Sequence, residues 1–289
     1  MSRKSRQSVA PSRVRAQLLP DQSEALLREL HLISRDGKIH ADTLRKLKQV
    51  NHLVGLVTPA MEDVLGRYPD PVVVDVGSGN AYLGFVLYEL FLRQREGGRV
   101  LNVEARPDLT ARAAERAQKL GFSRMEFQTS DIANARLPDR VHLVMALHAC
   151  DTATDEALAL ALRARADHIA VVPCCQAELA QQLKAHKPAP DSPFSALTQH
   201  AWHRREFASH LTNVLRALTL EAHGYQVTVT ELTGWEHSLK NELILGRRVH
   251  RESRPAMAKL EALLEQAGVT PALQRLLSAP RTDAAPPQG

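Results

Sequence analysis

The alternation of short apolar segments with helical segments, which begins near residue 71, constrains the fold most strongly. Buried strands that are joined by helices form parallel sheets with helices on both faces. The last two segments follow each other closely, as in an antiparallel pair. The sequence therefore predicts an α/β protein with a mainly parallel seven-stranded sheet, an antiparallel last strand and helices on both faces. The predicted strands are Val72–Val76, Arg99–Glu104, Met125–Ser130, Val141–Leu147, Asp167–Pro173, Gln226–Glu231 and Glu242–Arg248.

Helical patterns both separate and flank these strands. Apolar residues recur at helical spacing in each of them, and cap residues or Pro open several. The predicted helices are Asp21–Arg35, one from Asp42, one from Thr58-Pro59, Tyr82–Arg95, Asp108–Leu120, Thr154–Arg165, Thr198–His223 and 255–277. The chain is accordingly divided into a disordered basic tail (1–20), an N-terminal helical extension (21–68), an α/β domain (69–250), C-terminal helices (251–278) and a disordered tail (279–289).

The positive charge of the chain comes from its first twenty residues. The formal net charge is +5, and residues 1–20 carry five basic residues and no acid, so the rest is neutral overall. Such a tail favours contact with a phosphate backbone without sequence specificity. A solvated disordered tail and an Arg- and Ser-rich organelle transit peptide are the alternatives. The five residues are Arg3, Lys4, Arg6, Arg13 and Arg15.

Cysteine usage and hydropathy predict a cytoplasmic protein. The three cysteines are Cys150, Cys174 and Cys175, and an odd number with two adjacent residues is a poor disulfide framework. Free thiols are typical of a reducing compartment. The apolar runs are far shorter than the ~20 residues that cross a bilayer.

A Gly-rich turn after the first predicted strand indicates a nucleoside cofactor. The strand ends in Asp75-Val-Gly77-Ser-Gly79-Asn80, and such a turn lets the backbone approach a ligand closely. A dinucleotide site places a third Gly where this chain has Tyr82, and Asp75 would repel a pyrophosphate. S-adenosylmethionine carries a sulfonium and an ammonium group instead, and an acid at Asp75 suits both charges.

Two further acids follow the second and third strands and support an adenosine ligand. Glu104 is placed to accept the two ribose hydroxyls, a feature that NAD enzymes share. Asp131 is placed to accept the adenine amino group, with Ile132 against the ring; a turn-capping role for Asp131 is the alternative. The expected cofactor-binding residues are Asp75, Gly77, Gly79, Asn80, Tyr82, Leu83, Glu104, Ala105, Asp131, Ile132 and His148.

The residues after the fourth and fifth strands are expected to face the reacting group, because ligands bind beyond the carboxyl ends of parallel strands. These segments contain the candidate catalytic residues His148, Cys150, Asp151, Cys174 and Cys175. A buried cysteine is more often a small apolar filler, but three at two neighbouring strand ends are harder to explain as packing.

These segments also carry a family resemblance. Leu147-His148-Ala-Cys150-Asp151-Thr-Ala-Thr-Asp155 and Pro173-Cys174-Cys175 resemble the methyltransferase domain that eukaryotic methyltransferase-like proteins share with tRNA 2′-O-methyltransferases of the acceptor stem. Asp151 stands where that group often has Gly, and Gln176 where it often has His. The resemblance covers roughly residues 40–250. It implies a Rossmann-like class I methyltransferase fold and RNA as the substrate.

The candidate residues allow more than one chemistry. His148 or Asp151 would serve as the base that methylation of a ribose hydroxyl or an exocyclic amine requires, whereas a ring nitrogen needs mainly positioning. Carbon-5 methylation of a pyrimidine would need Cys174 or Cys175 as a thiolate nucleophile, activated by His148. A metal site from these residues is disfavoured because adjacent cysteines chelate one ion poorly, and no metal is predicted.

The predicted function is therefore methylation of an RNA by direct transfer from S-adenosylmethionine. The RNA would be an rRNA or a tRNA, modified at a base or a ribose. Besides the basic tail, Arg45, Lys46 and Lys48 on one helix are expected to contact RNA, and Arg204 and Arg205 are further candidates. A small-molecule or protein methyltransferase and a non-catalytic RNA-binding module are the alternatives. The three acids speak against the last, because a binding module has no need of them.

Overall fold

The computed structural model describes residues 8–9, 18–33, 39–147, 151–173, 177–185, 191–232 and 242–279. Its strands are β1 (Ser8–Val9), β2 (Ile39–His40), β3 (Val72–Val76), β4 (Arg99–Glu104), β5 (Met125–Thr129), β6 (Leu143–Ala146), β7 (His168–Val171), β8 (Tyr225–Glu231) and β9 (Glu242–Arg248). Its helices are α1 (Glu24–Glu29), α2 (Ala41–Arg67), α3 (Tyr82–Leu87), α4 (Pro107–Leu120), α5 (Thr152–Arg163), α6 (Glu178–Ala185), α7 (Pro193–Gln199), α8 (Ala201–Ala222), α9 (Arg254–Ala267) and α10 (Ala272–Ser278), and a π-helical turn (Tyr88–Leu92) continues α3.

Seven strands form one mixed sheet, as the sequence predicts. Their order is β5-β4-β3-β6-β7-β9-β8. The first five of these pair in parallel, and β9 is antiparallel to both β7 and β8. The short pair β1–β2 is separate from this sheet. The predicted fold class is confirmed, with β3, β4 and β9 at the predicted bounds.

Helices cover both faces of the sheet. The two central strands β3 and β6 are buried at every position, and Asp75 is their one polar residue. One apolar cluster joins α1, α2 and α3 to the sheet, and a second joins α5 and α10 to its other face. A third cluster packs α6, α8 and α9 together. Among the described residues, no helix has the length and apolar character that a membrane crossing requires.

The N-terminal extension packs on the sheet as part of the main core. Leu26, Leu27 and Leu30 are completely buried. The backbone N–H and the hydroxyl of Ser23, the N-cap of α1, both donate to the carboxylate of Glu89, which is 5% exposed. Within residues 1–20, Ser8–Val9 pairs with Ile39–His40, and the predicted disorder of the tail stays a prediction.

Two predicted helix boundaries in this extension are wrong. The helix predicted over Asp21–Arg35 is confined to α1, because the chain turns at His31, whose φ is 54°. The two helices predicted from Asp42 and Thr58 are the single helix α2, which continues through Pro59. The hydroxyl of Thr58 donates to the Val54 carbonyl at 2.8 Å. Burial of one apolar face of α2 offsets the ~3 kcal/mol that an internal Pro costs.

The C-terminal third also differs from the predicted boundaries. The helix predicted over Thr198–His223 breaks at His200 into α7 and α8, and the one predicted over 255–277 breaks at Gly268, which has a φ of 63°. Helix α6 was not predicted. These short helices are stabilised by the third apolar cluster rather than by a long periodic pattern.

Helix α2 is longer than the strands that it covers. Its C-terminal part is fixed at the amino ends of the strands, where Asp63 Oδ2 lies 2.7 Å from His168 Nε2, at the start of β7. From Asp63 the helix extends about 27 Å back to Arg45, 18 residues earlier, whereas a five-residue strand spans only about 17 Å.

Helix α8 extends beyond the carboxyl edge of the sheet, on the face opposite to the one that α2 covers. Asn213 Nδ2 donates to Glu242 Oε2 at 2.8 Å, and Glu242 begins the antiparallel β9, so this contact marks the carboxyl edge of the parallel strands. Ala222, at the other end of α8, leads through Gly224 into the start of β8. The twelve residues from Ala201 to Thr212 extend about 18 Å beyond the edge.

Candidate active site

The turn between β3 and α3 has the backbone conformation of a ligand-binding loop. Gly77 and Gly79 have φ values of 64° and 58°, the left-handed region that Gly adopts without strain. Ser78 N donates to Val103 O at 3.1 Å, which holds the turn against the end of β4. Ala81, with a φ of 55°, precedes the first helical residue. The turn lies at the carboxyl edge, as the sequence predicts.

Asp75 is a buried carboxyl group at the start of this turn. It is 3% exposed. Burial, together with the negative charge of Glu104, raises its pKa to about 7. A buried acid in this state is stabilised by a cation, whereas the charged group that acts on its pKa here is another acid. The site therefore suits a positively charged ligand and not a pyrophosphate.

Glu104, at the end of β4, links the turn to the next loop. Its Oε2 accepts from Gly79 N at 2.8 Å, and its Oε1 accepts from the backbone and Nε of Arg106 at 3.1 and 2.8 Å. Burial acts to raise the pKa of Glu104, but the hydrogen bonds from Arg106 and Gly79 outweigh it and hold this pKa below its usual value. Arg106 is mostly exposed, so a ligand hydroxyl can replace its side chain without leaving a buried cation unpaired.

The start of α3 contains a contact that the sequence reading missed. Gly84 packs so closely on β4 that an added Cβ would lie 2.5 Å from Asn102 Oδ1. This Gly fixes the distance between α3 and the sheet and therefore the height of the turn. The sequence feature that could have revealed this contact is a Gly within the first turn of a predicted helix. Of the other predicted residues, Leu83 is buried, Tyr82 is half-buried, and Asn80 is exposed.

The predicted adenine site after β5 is formed as an exposed loop over a buried residue. Ile132 is 7% exposed and packs in the second apolar cluster. The carboxylate of exposed Asp131 accepts from Asn134 N at 2.8 Å and from Asn134 Nδ2 at 3.0 Å, which is the turn-capping role. Burial, followed by the charges of Asp131 and Asp155, raises the pKa of Glu156, so this acid lies near the same loop. Ala105 is exposed beside Glu104.

Asp151 is the one predicted catalytic residue that lies among the described residues; His148, Cys150, Cys174 and Cys175 lie outside them. Its Oδ1 accepts from Ala177 N at 3.1 Å and Glu178 N at 3.5 Å, so it joins the loop after β6 to the start of α6. Its φ and ψ are 50° and −120°, a conformation that favours Gly.

A buried ion pair between α5 and α8 stabilises the position of Asp151. Arg216 on α8 makes two hydrogen bonds to Asp155, with Nε and Nη2 at 2.9 and 2.8 Å from its oxygens. Nη2 also donates to the carbonyl of Asp151 at 2.9 Å, and Nη1 donates to Asn213 at 3.1 Å. Arg216 and Asp155 are 1% and 2% exposed. The sequence reading missed Arg216 because it lies 61 residues from its partner.

The buried carboxyl of Asp75 leads to a stability prediction. Because its folded pKa of about 7 lies above the 3.8 of an unperturbed Asp, its contribution to stability falls as the pH rises from about 4 to about 7. Asp75→Asn cannot ionise and so removes the free-energy cost of a buried charge. This cost is about 1.4 kcal/mol for each pKa unit by which the folded value exceeds the unfolded one. We expect the ligand-free variant to melt at a higher temperature than the wild type at pH 8, with the difference disappearing near pH 4. Exposed Asp108→Asn is the control, and equal melting temperatures at pH 8 would contradict the assignment.

The buried ion pair leads to a second prediction. Arg216→Met leaves Asp155 buried without its cation, which costs about 3–5 kcal/mol of unfolding free energy. The double variant Arg216→Met with Asp155→Leu is expected to recover much of this loss, because no uncompensated charge remains. Glu206→Ala, at the exposed Arg205–Glu206 pair, is the control and should change stability by less than about 1 kcal/mol. Denaturant unfolding measures all four; a double variant no more stable than Arg216→Met would refute the pairing argument.

Comparison with known proteins places this site in a methyltransferase domain. Residues 45–182 match a family model described as a methyltransferase domain. A glutathione S-transferase C-terminal domain-containing protein of Bos taurus is 27% identical over 233 residues, 73% of this chain and 35% of that protein. Protein-L-isoaspartate O-methyltransferase 2 of Nitrosococcus oceani is 32% identical over 75 residues, 26% of this chain and 32% of that protein. The chain thus spans about a third of the length of the curated relatives it matches.

Solved structures with a similar arrangement are also methyltransferases. Magnesium protoporphyrin IX methyltransferase of Synechocystis, with bound S-adenosylhomocysteine, has a TM-score of 0.45 and 15% identity over 78% of this chain and 95% of that chain. An rRNA methylase of Streptococcus thermophilus has a TM-score of 0.43 and 12% identity over 68% of this chain and 95% of that chain. These likenesses are too distant to carry an argument about activity.

The class of enzyme follows from the match to the methyltransferase domain, together with the topology of the chain itself. The strand order, with one antiparallel strand beside β7, is that of Rossmann-like class I methyltransferases. The Gly-rich turn after β3 lies at the carboxyl edge of the parallel strands, where ligands of open α/β sheets bind. The chain therefore carries an S-adenosylmethionine-dependent methyltransferase domain.

Proposed function

We propose that this domain methylates RNA by direct transfer from S-adenosylmethionine. The observation that carries the proposal is a pair of exposed basic helix ends. Arg45 and Lys48 are exposed on the N-terminal end of α2, and Arg205 is exposed on the projecting end of α8. Helix α2 packs on one face of the sheet and the C-terminal end of α8 on the other, and in this proposal their basic ends flank the active-site edge from both sides. A polyanion that enters the site would meet both.

The residues of the turn fit the cofactor. The ionised carboxylate of Asp75 would hold the cationic amino-acid part, and Glu104 would accept the ribose hydroxyls. Ile132 would pack on the adenine ring, and Asp131 retains lone pairs for its amino group while it caps its own turn. Gly77 and Gly79 keep the backbone clear of side chains beside these groups. The bound cofactor supplies an electrophilic methyl group on a sulfonium.

The contribution of the chain to transfer is positioning and proton removal. The loop after β6 would present His148 or Asp151 to a ribose hydroxyl or exocyclic amine that must lose a proton. The Asp155–Arg216 pair and the cap on α6 hold Asp151 in place. A ring nitrogen would need only the positioning. Covalent attack by Cys174 or Cys175 on a pyrimidine is the other route, and we favour direct transfer.

The other basic residues that the sequence suggests belong to the same proposal. Lys46 lies on α2 between Arg45 and Lys48, and the tail contains Arg3, Lys4, Arg6, Arg13 and Arg15, whose structure is outside the described residues. The tail would add affinity without sequence specificity. Within this proposal, the tail contributes to binding and the helix ends orient the RNA.

The test combines substrate identification with a charge-reversal variant. Mass spectrometry of nucleosides, after incubation of RNA with the protein and S-adenosylmethionine, should reveal a methylated nucleoside. Arg45→Glu with Lys48→Glu should raise the KM for RNA about tenfold or more and flatten the salt dependence of binding, because about two phosphate contacts are lost. Affinity for S-adenosylmethionine should not change.

The matched control reverses two exposed lysines elsewhere, Lys119→Glu with Lys259→Glu, and so changes the net charge equally. This variant should keep its KM within about twofold, because a distant charge is screened within about 10 Å. Equal loss in both double variants would assign the effect to net charge. Methyl transfer to a small molecule or a protein, with RNA unmodified, would overturn the proposal.

A further inference from the structure

Trp202 is an exposed aromatic side chain at the projecting end of α8. It is 59% exposed, more than any other large apolar side chain in the described part of the chain. Large aromatic side chains are ordinarily mostly buried, and the groups around this exposed one decide whether it has a role in binding. By helical rise, Trp202 lies about 16 Å beyond the edge that Asn213 marks. It therefore lies on the side from which a substrate reaches the site.

The groups around Trp202 match the two chemical parts of a nucleotide. The guanidinium of Arg205 lies 4.4 Å from the centre of the indole ring, a cation–π stack at an exposed site. The rings of His200 and His203 contact edge to face at 5.4 Å on the same turn. An indole face stacks on a nucleobase, and guanidinium and imidazole donors bind phosphate. An apolar protein partner would have little use for this set of donors.

The corner that carries Trp202 is rigid enough to act as a platform. The side chain of Ser192 accepts from Phe194 N and caps α7, and the rings of Phe194 and Phe207 pack at 5.5 Å. Arg204 Nη1 donates to the Thr198 carbonyl at 3.1 Å and fixes the angle between α7 and α8. A fixed surface loses little conformational entropy on binding.

We propose that Trp202 and Arg205 form a stacking platform for an unpaired base of single-stranded RNA. The proposal rests on the proposed function, because the platform would hold another nucleotide of the strand that is being modified. It adds a site that is separate from the cofactor turn and from the loop after β6. Binding here combines a sequence-tolerant stack with phosphate contacts from the same helix turn.

The chain has two tryptophans, and this allows a direct test. In a Trp235→Phe background, Trp202 is the single indole, and its fluorescence reports stacking. Single-stranded oligoadenylate should quench this fluorescence, whereas inorganic polyphosphate, which has charge but no bases, should not. The same titration of the wild type and of Trp202→Phe, with Trp235 intact, gives the Trp202 signal by difference and guards against a folding effect of Trp235→Phe.

Substitution then measures the contribution to binding. Trp202→Ala should weaken oligoadenylate binding about tenfold while the salt dependence stays the same, because stacking is lost and no phosphate contact is lost. Trp202→Phe should recover most of the affinity. Val214→Ala, at another exposed apolar residue of α8, is the control and should bind like the wild type. Wild-type affinity of Trp202→Ala, or equal quenching by polyphosphate, would overturn the proposal.

Two readouts separate this proposal from the proposed function and from other partners. Methylated RNA with unquenched Trp202 would overturn the platform and leave the RNA methyltransferase standing. Quenching by oligoadenylate with no RNA methylated would do the reverse. Light scattering should give the same mass for the wild type and for Trp202→Ala; a wild-type dimer that Trp202→Ala dissociates would assign this surface to a second copy of the chain.

Discussion

The candidate site is organised around one buried carboxyl group, that of Asp75 at the end of β3. Burial beside Glu104 raises its pKa to about 7, so the ligand-free fold is less stable when this group is ionised. Such a cost is retained where a ligand offsets it, and a cation is the ligand that would. The parallel sheet makes this possible, because it places Asp75, Glu104 and the Gly-rich turn at the same edge.

A second electrostatic element supports the neighbouring part of this edge. The Asp155–Arg216 pair joins α5 to α8 and holds the carbonyl of Asp151, while the carboxylate of Asp151 caps α6. Asp151 is thus held by Arg216 through its carbonyl and by the start of α6 through its carboxylate. Because α8 also carries Trp202, one helix connects the support of the reaction loop with the surface that we propose for RNA.

Much of the fold could be predicted from the sequence, because short apolar segments mark β3, β4 and β9, and the observed bounds agree with the prediction. The order of helices and strands further predicted the sheet and its antiparallel strand. Helix boundaries were predicted less well, since Pro59 lies inside α2 and His200 breaks a continuous pattern. Tertiary packing decides both, and local propensity does not record it.

The sequence predicted the polar residues of the candidate site but not the residues that hold them in position. Asp75 and Glu104 stand next to strand ends, where the pattern itself points to them. Arg216 and Gly84 could not be found in the same way, because one acts through a partner 61 residues away and the other through a backbone contact with Asn102.

Calorimetry of S-adenosylmethionine binding tests the central claim most directly. We expect binding with micromolar affinity, and near pH 6, in buffers of different ionisation enthalpy, the release of close to one proton, because the bound cation ionises Asp75. Affinity should accordingly rise as the pH increases through about 7. Asp75→Asn should bind more weakly and release no proton, and NAD should not bind. Absence of S-adenosylmethionine binding, or the same proton release by Asp75→Asn, would contradict the account.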